Sequence, residues 1–221
     1  MDLALVYLSL FLLALTTMFP PTLSMERAEQ LVDKNGRPIF PGGRFYIEPD
    51  VLDRKGGGVR LEKTGNSTCP VTVLQDYSKS NHGMAVKFII PGISPGIIFA
   101  DITQLHIAFE DKPKCVESSF WEVFEEENDD GFPTKWIGIA GANDHSGKKT
   151  LKGRFSIHKD GVHLMRYKIV FCASAKKNQI GSCFDVVRYK DEKGMRLVLN
   201  TTDQDPDQKQ YLDFHVEFVN A

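Results

Sequence analysis

Long amphipathic stretches are missing from this chain. No segment carries an apolar stripe at i, i+3, i+4 and i+7 between helix caps, which argues against a helical bundle. A basic excess is missing too. Lys and Arg total 27 against 29 Asp and Glu, a formal net charge of −2, so the electrostatic footprint of a nucleic-acid binder is absent. Cysteine is scarce, at four residues, and no two stand in a Cys-x-x-Cys spacing, which removes the zinc-ribbon frameworks. No Ser-His-Asp or Cys-His set with a nucleophile elbow is evident, so no catalytic residues are assigned. Gly (18) and Pro (11) are near ordinary usage, and 42% hydrophobic with 25% charged content excludes a disordered or low-complexity chain. A chain of 221 residues with this composition builds one large domain or two small ones.

The amino terminus carries one long apolar run. Leu3 to Met18 is apolar apart from Ser9, Thr16 and Thr17, and Pro20-Pro21 ends it. That is short for a spanning helix of about 20 residues. Thr22 and Ser24 are the small residues that a signal peptidase requires for a cut after Ser24, although Asp2 stands where a basic residue is usual. Residues 1–24 are therefore read as a cleaved secretory signal and 25–221 as one mature domain, with no membrane partner. Secretion makes Cys69, Cys115, Cys172 and Cys183 disulfide candidates. Four cysteines allow three connectivities. Cys172 and Cys183 flank a polar stretch between two apolar runs, so pairing them closes a hairpin and leaves Cys69 with Cys115. Asn66-Ser67-Thr68 and Asn200-Thr201-Thr202 are glycosylation sequons in turn-like contexts, at Asn66 and Asn200.

The rest of the chain reads as short strands. Segments 44–47, 69–74, 86–90, 105–109, 120–124, 136–139, 154–158, 167–172, 184–187, 196–199 and 214–219 are rich in aromatic and β-branched residues. Phe214, Val216 and Phe218 alternate with Asp213, His215 and Glu217, the period of a half-buried strand. Lys34-Asn35-Gly36, Gly42-Gly43, Gly56-Gly57-Gly58, Asn128-Asp129-Asp130-Gly131 and Lys159-Asp160-Gly161 punctuate them as turns. About twelve short strands at this spacing form an all-β sandwich or barrel. Three blocks, 31–110, 114–160 and 164–221, follow a similar order of elements. Trp121 to Phe124 and Tyr167 to Phe171 read as copies of one element, with Phe45-Tyr46-Ile47 as a third. A threefold repeat of four strands is a β-trefoil.

Residues 31–47, LVDKNGRPIFPGGRFYI, resemble the opening signature of the plant Kunitz inhibitors of the soybean trypsin inhibitor family. Leu31, Asp33, Gly36, Ile39 and Ile47 match it in register, and Phe45 replaces the usual Tyr. The resemblance continues through 58–61, 64–66 and 69–75, through Lys168 to Cys172, and through Arg196 to Leu199. It implies a single-domain β-trefoil of three pseudo-repeats, secreted or vacuolar and monomeric, without cofactor or metal. It also implies the pairs Cys69–Cys115 and Cys172–Cys183. The implied partner is a target protease, held by an exposed reactive-site loop shaped like a substrate.

That loop falls at Pro91, Gly92, Ile93, Ser94 and Pro95. Counting forward from Cys69 puts the scissile position at Ile93; counting back from 105–109 puts it at Pro95. Ile93 is preferred, because proline suits few proteases there. Trypsin-inhibiting relatives carry Arg or Lys at this point, and this chain has neither between Lys87 and Lys112. Strong trypsin inhibition is therefore not expected. Many relatives also place an Asn in the turn before Gly-Gly, to bond across the loop; here Pro41 stands there.

Other features take plainer readings. The acidic run Glu125 to Asp130 supplies carboxylates of the kind a glycosidase pairs, but reads as a solvated hairpin tip. His158 and His163 read as exposed turn residues, not metal ligands. Lys159, and Lys190 with Asp191, are turn-like segments that would serve as alternative inhibitory loops. The competing functions are a non-inhibitory storage, defence or binding trefoil and an α-fucosidase-like glycosidase.

Overall fold

The computed structural model describes residues 28–52, 56–92, 96–125, 135–139, 148–161, 165–174, 181–201 and 211–221. All its regular elements are strands. The first repeat holds β1 (Arg44–Pro49), β2 (Val59–Glu62), β3 (Thr72–Gln75) and β4 (Val86–Ile89). The second holds β5 (Gln104–Phe109), β6 (Glu122–Glu125), β7 (Lys135–Gly138), β8 (Lys149–Leu151) and β9 (Gly153–Lys159). The third holds β10 (Tyr167–Ala173), β11 (Cys183–Asp191), β12 (Gly194–Leu199), β13 (Tyr211–Asp213) and β14 (His215–Asn220). Among the described residues there are 14 strands, not about twelve, because Lys152 and Phe214 each interrupt what would be one strand.

Antiparallel pairing runs β14-β1-β4-β5-β9-β10, and β10 pairs back to β14, so six strands close a barrel without edges. The hairpins β2–β3, β6–β7 and β11–β12 cap it, and their strands β3, β7 and β12 pair mutually around a central triangle. This is a β-trefoil. The pairing also corrects the repeat alignment. Trp121 to Phe124 leads into and forms β6, a cap strand, whereas Tyr167 to Phe171 lies in β10, a barrel strand equivalent to β1 and β5. The residues that close the block 31–110 are β5, which opens the second repeat.

Alternation explains the core. In β14, Val216 and Phe218 point inward and are fully buried, while His215, Glu217 and Val219 are half-buried on the other face. Inside the barrel, Phe88 and Phe218 meet edge to face at 5.2 Å, and Phe155 and Phe171 at 5.1 Å. A second cluster, on the face of the cap strands turned away from the main core, stacks Phe124 on Trp136 at 4.9 Å, beside Val187 and Val198. The disulfides are Cys69–Cys115 and Cys172–Cys183, and the second joins directly paired residues of β10 and β11.

Candidate functional site

The segment between β4 and β5 leaves the core and returns to it within a few residues. At its base the two strands pair in register, Val86 with Phe109, Phe88 with Ile107 and Ile89 with His106. Ile90 is half-buried, and Pro91 and Gly92 are exposed. Ile93, Ser94 and Pro95 lie outside the described residues. The chain resumes at Gly96, Ile97 is 47% exposed, and Ile98 is fully buried.

Main-chain bonds brace both limbs. On the outgoing side, Phe40 to Gly43 form a turn in which the Gly43 N–H donates to the Phe40 carbonyl at 3.2 Å. Pro41 and Gly42 occupy its centre, and Gly42 has φ +81°, the left-handed conformation that the third residue of a type II turn adopts. The Gly42 N–H then donates to Phe88 of β4 at 2.9 Å. Pro41 brings no side-chain donor, and here the backbone supplies the cross-link to the loop base.

On the returning side, Leu31 N–H donates to Ile98 at 2.8 Å, and Ala100 N–H donates to Glu29 at 2.9 Å. The Phe99 N–H donates to the Thr103 hydroxyl at 2.8 Å. Asp101 has φ +65°, unusual for a residue with a Cβ, and its N–H donates to Ile157 of β9 at 2.8 Å. Its carboxylate accepts the Lys159 N–H at 3.2 Å and lies 3.5 Å from His158 Nδ1. His158 Nε2 in turn sits 2.9 Å from Ser156 Oγ. These three residues fall in the order of a hydrolase triad, a juxtaposition that the sequence did not signal. Ser156 is only 4% exposed, between paired strands, so a substrate carbonyl does not reach its oxygen. The set positions residues beside the loop.

The opening signature now has a physical content. Residues 31–39 form a small hairpin whose buried Leu31 and Ile39 fasten it to the core. Asp33 Oδ1 accepts the N–H groups of Asn35 at 2.8 Å and Arg37 at 2.9 Å, which fixes the turn between them. Val32 N–H donates to the Tyr167 hydroxyl at 3.2 Å, and Lys34 N–H to Phe218 at 2.9 Å. The hairpin thus ties the returning limb to β10 and β14.

The alternative segments are differently placed. Lys159 ends β9, and its ammonium is paired with Glu29, so it belongs to the brace of the same loop. Lys190 and Asp191 lie in strand β11, not in a loop; the hairpin turns on Glu192 and Lys193 alone, since Asp191 pairs with Gly194. The Asp191 carboxylate is held by Arg196 at 2.6 Å. Glu125 of the acidic run is ion-paired with Lys135 and Lys149, while 126–130 and His163 lie outside the described residues. Asn66 is exposed in a turn, and Asn200 is half-buried with its N–H bonded to Asp185 at 2.8 Å.

A closed trefoil with an exposed stretch at Pro91 and Gly92, between two braced limbs, can serve as a scaffold for presenting a loop. Comparisons with known proteins give the family. Residues 31–211 match the legume Kunitz family, described as trypsin and protease inhibitors. A Kunitz-type trypsin inhibitor-like 2 protein of Pisum sativum is 43% identical over 217 residues, covering 97% of this chain and 91% of that one. The subtilisin inhibitor CLSI-II of Canavalia lineata is 43% identical over 185 residues, covering 83% and 91%. A crystal structure of a Kunitz-type trypsin inhibitor from Cicer arietinum superposes with a TM-score of 0.73 at 47% identity, covering 87% of this chain and 99% of that one. The chain belongs to the legume Kunitz family of protease inhibitors, which is non-enzymatic.

Proposed function

We propose that Pro91 to Pro95 is the reactive-site loop, that Ile93 fills the specificity pocket of a serine protease, and that the pocket is apolar. The observation that carries this reading is the exposed segment after Ile90, whose two limbs are each pinned by main-chain bonds to the barrel. Limbs fixed in advance reduce the entropy lost on binding, which is the source of affinity in such inhibitors. The absence of Lys and Arg from 88 to 111 leaves the anionic pocket of trypsin without a cation, so specificity moves to apolar pockets. The relative named as a subtilisin inhibitor supports the same direction.

A panel of trypsin, chymotrypsin, elastase and subtilisin tests it. The protein inhibits at least one of the last three more tightly than trypsin. Ile93→Arg transfers inhibition toward trypsin, and Ile93→Asp abolishes inhibition of the apolar-pocket enzyme by burying an unpaired charge. Tight trypsin inhibition by the parent, unchanged by both substitutions, overturns the assignment. We propose further that residues 1–24 are removed on secretion and that 25–221 is the mature, monomeric domain. The two disulfides and the exposed sequon at Asn66 suit an oxidising compartment. A mature amino terminus at Met25 and a glycan on Asn66 are the expected findings of peptide mapping.

A further inference from the structure

Beside the loop lies a three-stranded patch that is not part of the barrel. Leu31 N–H donates to Ile98, and Ile39 N–H donates to Leu31 at 2.9 Å; the bridges Gln30–Phe99 and Val32–Pro38 fix the register. Ile39, Leu31 and Ile98 therefore form one row, and all three are fully buried. Their neighbours alternate to the opposite side. That outer face carries Phe40 and Pro38 on one flank and Ile97 and Phe99 on the other, with Gln30 between them and Val32 packed partly against the core. Phe40 is 53% exposed, Ile97 and Pro38 are exposed, and none of the six side chains is charged. An uncharged face with exposed Phe40, Pro38 and Ile97 around Gln30 is suited to contact with another apolar surface.

Both edges of the face run into the loop. Phe40 opens the turn whose Gly42 is bonded to β4, and Ile97 lies on the returning limb. A body seated over the exposed segment covers both. We propose that this face is a second contact surface for the target serine protease, with Phe40 as its anchor against apolar side chains on the rim of the enzyme's cleft. The proposal rests on the reading of the β4–β5 segment as the reactive loop, and it names a specificity-determining residue outside that loop. An aromatic ring is suited to the role, because it offers large contact area with only two rotatable angles to fix. Such a face separates proteases that share a pocket but differ in the polarity of their rims.

The test uses the full mature chain and the protease it inhibits most tightly, with association and dissociation rates measured separately. Phe40→Ala is expected to raise the inhibition constant about tenfold, chiefly through faster dissociation. Phe40→Leu should keep most of the affinity, and Phe40→Asp should lose more than Phe40→Ala. If Phe40→Ala and Phe40→Asp both stay within twofold of the parent while Ile93→Asp abolishes inhibition, the face is idle and only the loop reading survives. A parent that inhibits no protease removes both. A dimer that Phe40→Asp dissociates without altering inhibition would show that a second copy covers the face, and overturns the proposal. So would nuclear Overhauser contacts, in the free protein, between the Phe40 ring and residues preceding Glu29.

Discussion

At Asp33 a carboxylate with only 2% residue exposure accepts two main-chain N–H groups, and the turn between Asp33 and Arg37 depends on it. Removing the acceptor takes a charged partner from both donors, although Asn35 and Arg37 themselves are exposed and water reaches the turn. Asp33→Ala is therefore expected to cost about 2 kcal/mol in urea unfolding, and Asp33→Asn, which retains one oxygen, distinctly less. Because the same hairpin holds Ile98, Asp33→Ala should also speed release of a bound protease. Two glycines separate conformational from steric cost. Gly42 has a positive φ but nothing within 4 Å of an added Cβ, so Gly42→Ala should cost about 1 kcal/mol. At Gly58 an added Cβ would stand 1.8 Å from the His82 carbonyl oxygen, a main-chain atom that cannot swing aside. Gly58→Ala should cost about 3 kcal/mol or prevent folding. Denaturant titrations of the two variants side by side measure the contrast.

Strand β14 carries a charge conflict. Glu217 stands directly opposite Glu48 of β1, and like charges across a pair repel. Burial pushes the Glu217 carboxyl above its usual range; the Glu48 and Asp50 carboxylates add to this, and Lys34 opposes it. Glu48 is itself bonded to His82 Nδ1 at 2.6 Å, so it is held in place beside its neighbour. An acid whose pKa is raised on folding binds its proton more tightly in the native state. Its favourable contribution is present at low pH and is lost as pH rises through the folded-state value. Glu217→Gln should therefore raise the melting temperature at pH 7, and the advantage should vanish below about pH 4. A melting-temperature difference that stays constant over this range would show that Glu217 contributes through packing alone.

The strands with clear alternation or dense aromatics, such as 86–90, 105–109, 167–172 and 214–219, stand close to where the pattern puts them. β8 and β13 are three residues each and expose polar side chains, so no periodicity can reveal them. β11 runs on to Asp191 because a two-residue turn needs no long polar stretch, and Lys190 and Asp191 look like loop for their charge alone. Trp121 to Phe124 resembles Tyr167 to Phe171 in pattern yet runs into a cap strand, because local pattern records burial, not whether the burying surface is barrel or cap. Of the features around the site, the opening signature at 31–47 was legible from resemblance. The brace by Gly42, and the Asp101, His158 and Lys159 set, depend on contacts distant in sequence.

Across the whole molecule, the loop lies between two halves of the chain that are joined in several independent ways. β4 precedes it and β5 follows it, and they pair with each other; β1 pairs with β14, and the hairpin 31–39 is bonded to Ile98 and Phe218. The disulfide Cys69–Cys115 has one sulfur on each side of the loop, with a sequence separation of 46. On the chain-entropy model it contributes about 4 kcal/mol, against about 3 for Cys172–Cys183, which lies wholly in the carboxy-terminal half. A protease that cuts after Ile93 therefore separates neither half. The nicked protein should run as one species without reductant and as two with it, the larger beginning at Ser94. It should keep its melting transition with little loss, and it should still inhibit. The paired substitution Cys69→Ala with Cys115→Ala tests which link matters. If strand pairing alone retains the cut ends, the variant still inhibits when intact, but the nicked form loses its halves in mild denaturant. Loss of the halves from the nicked parent in buffer, with the disulfide intact and reductant present only during analysis, would place the cut somewhere other than between β4 and β5.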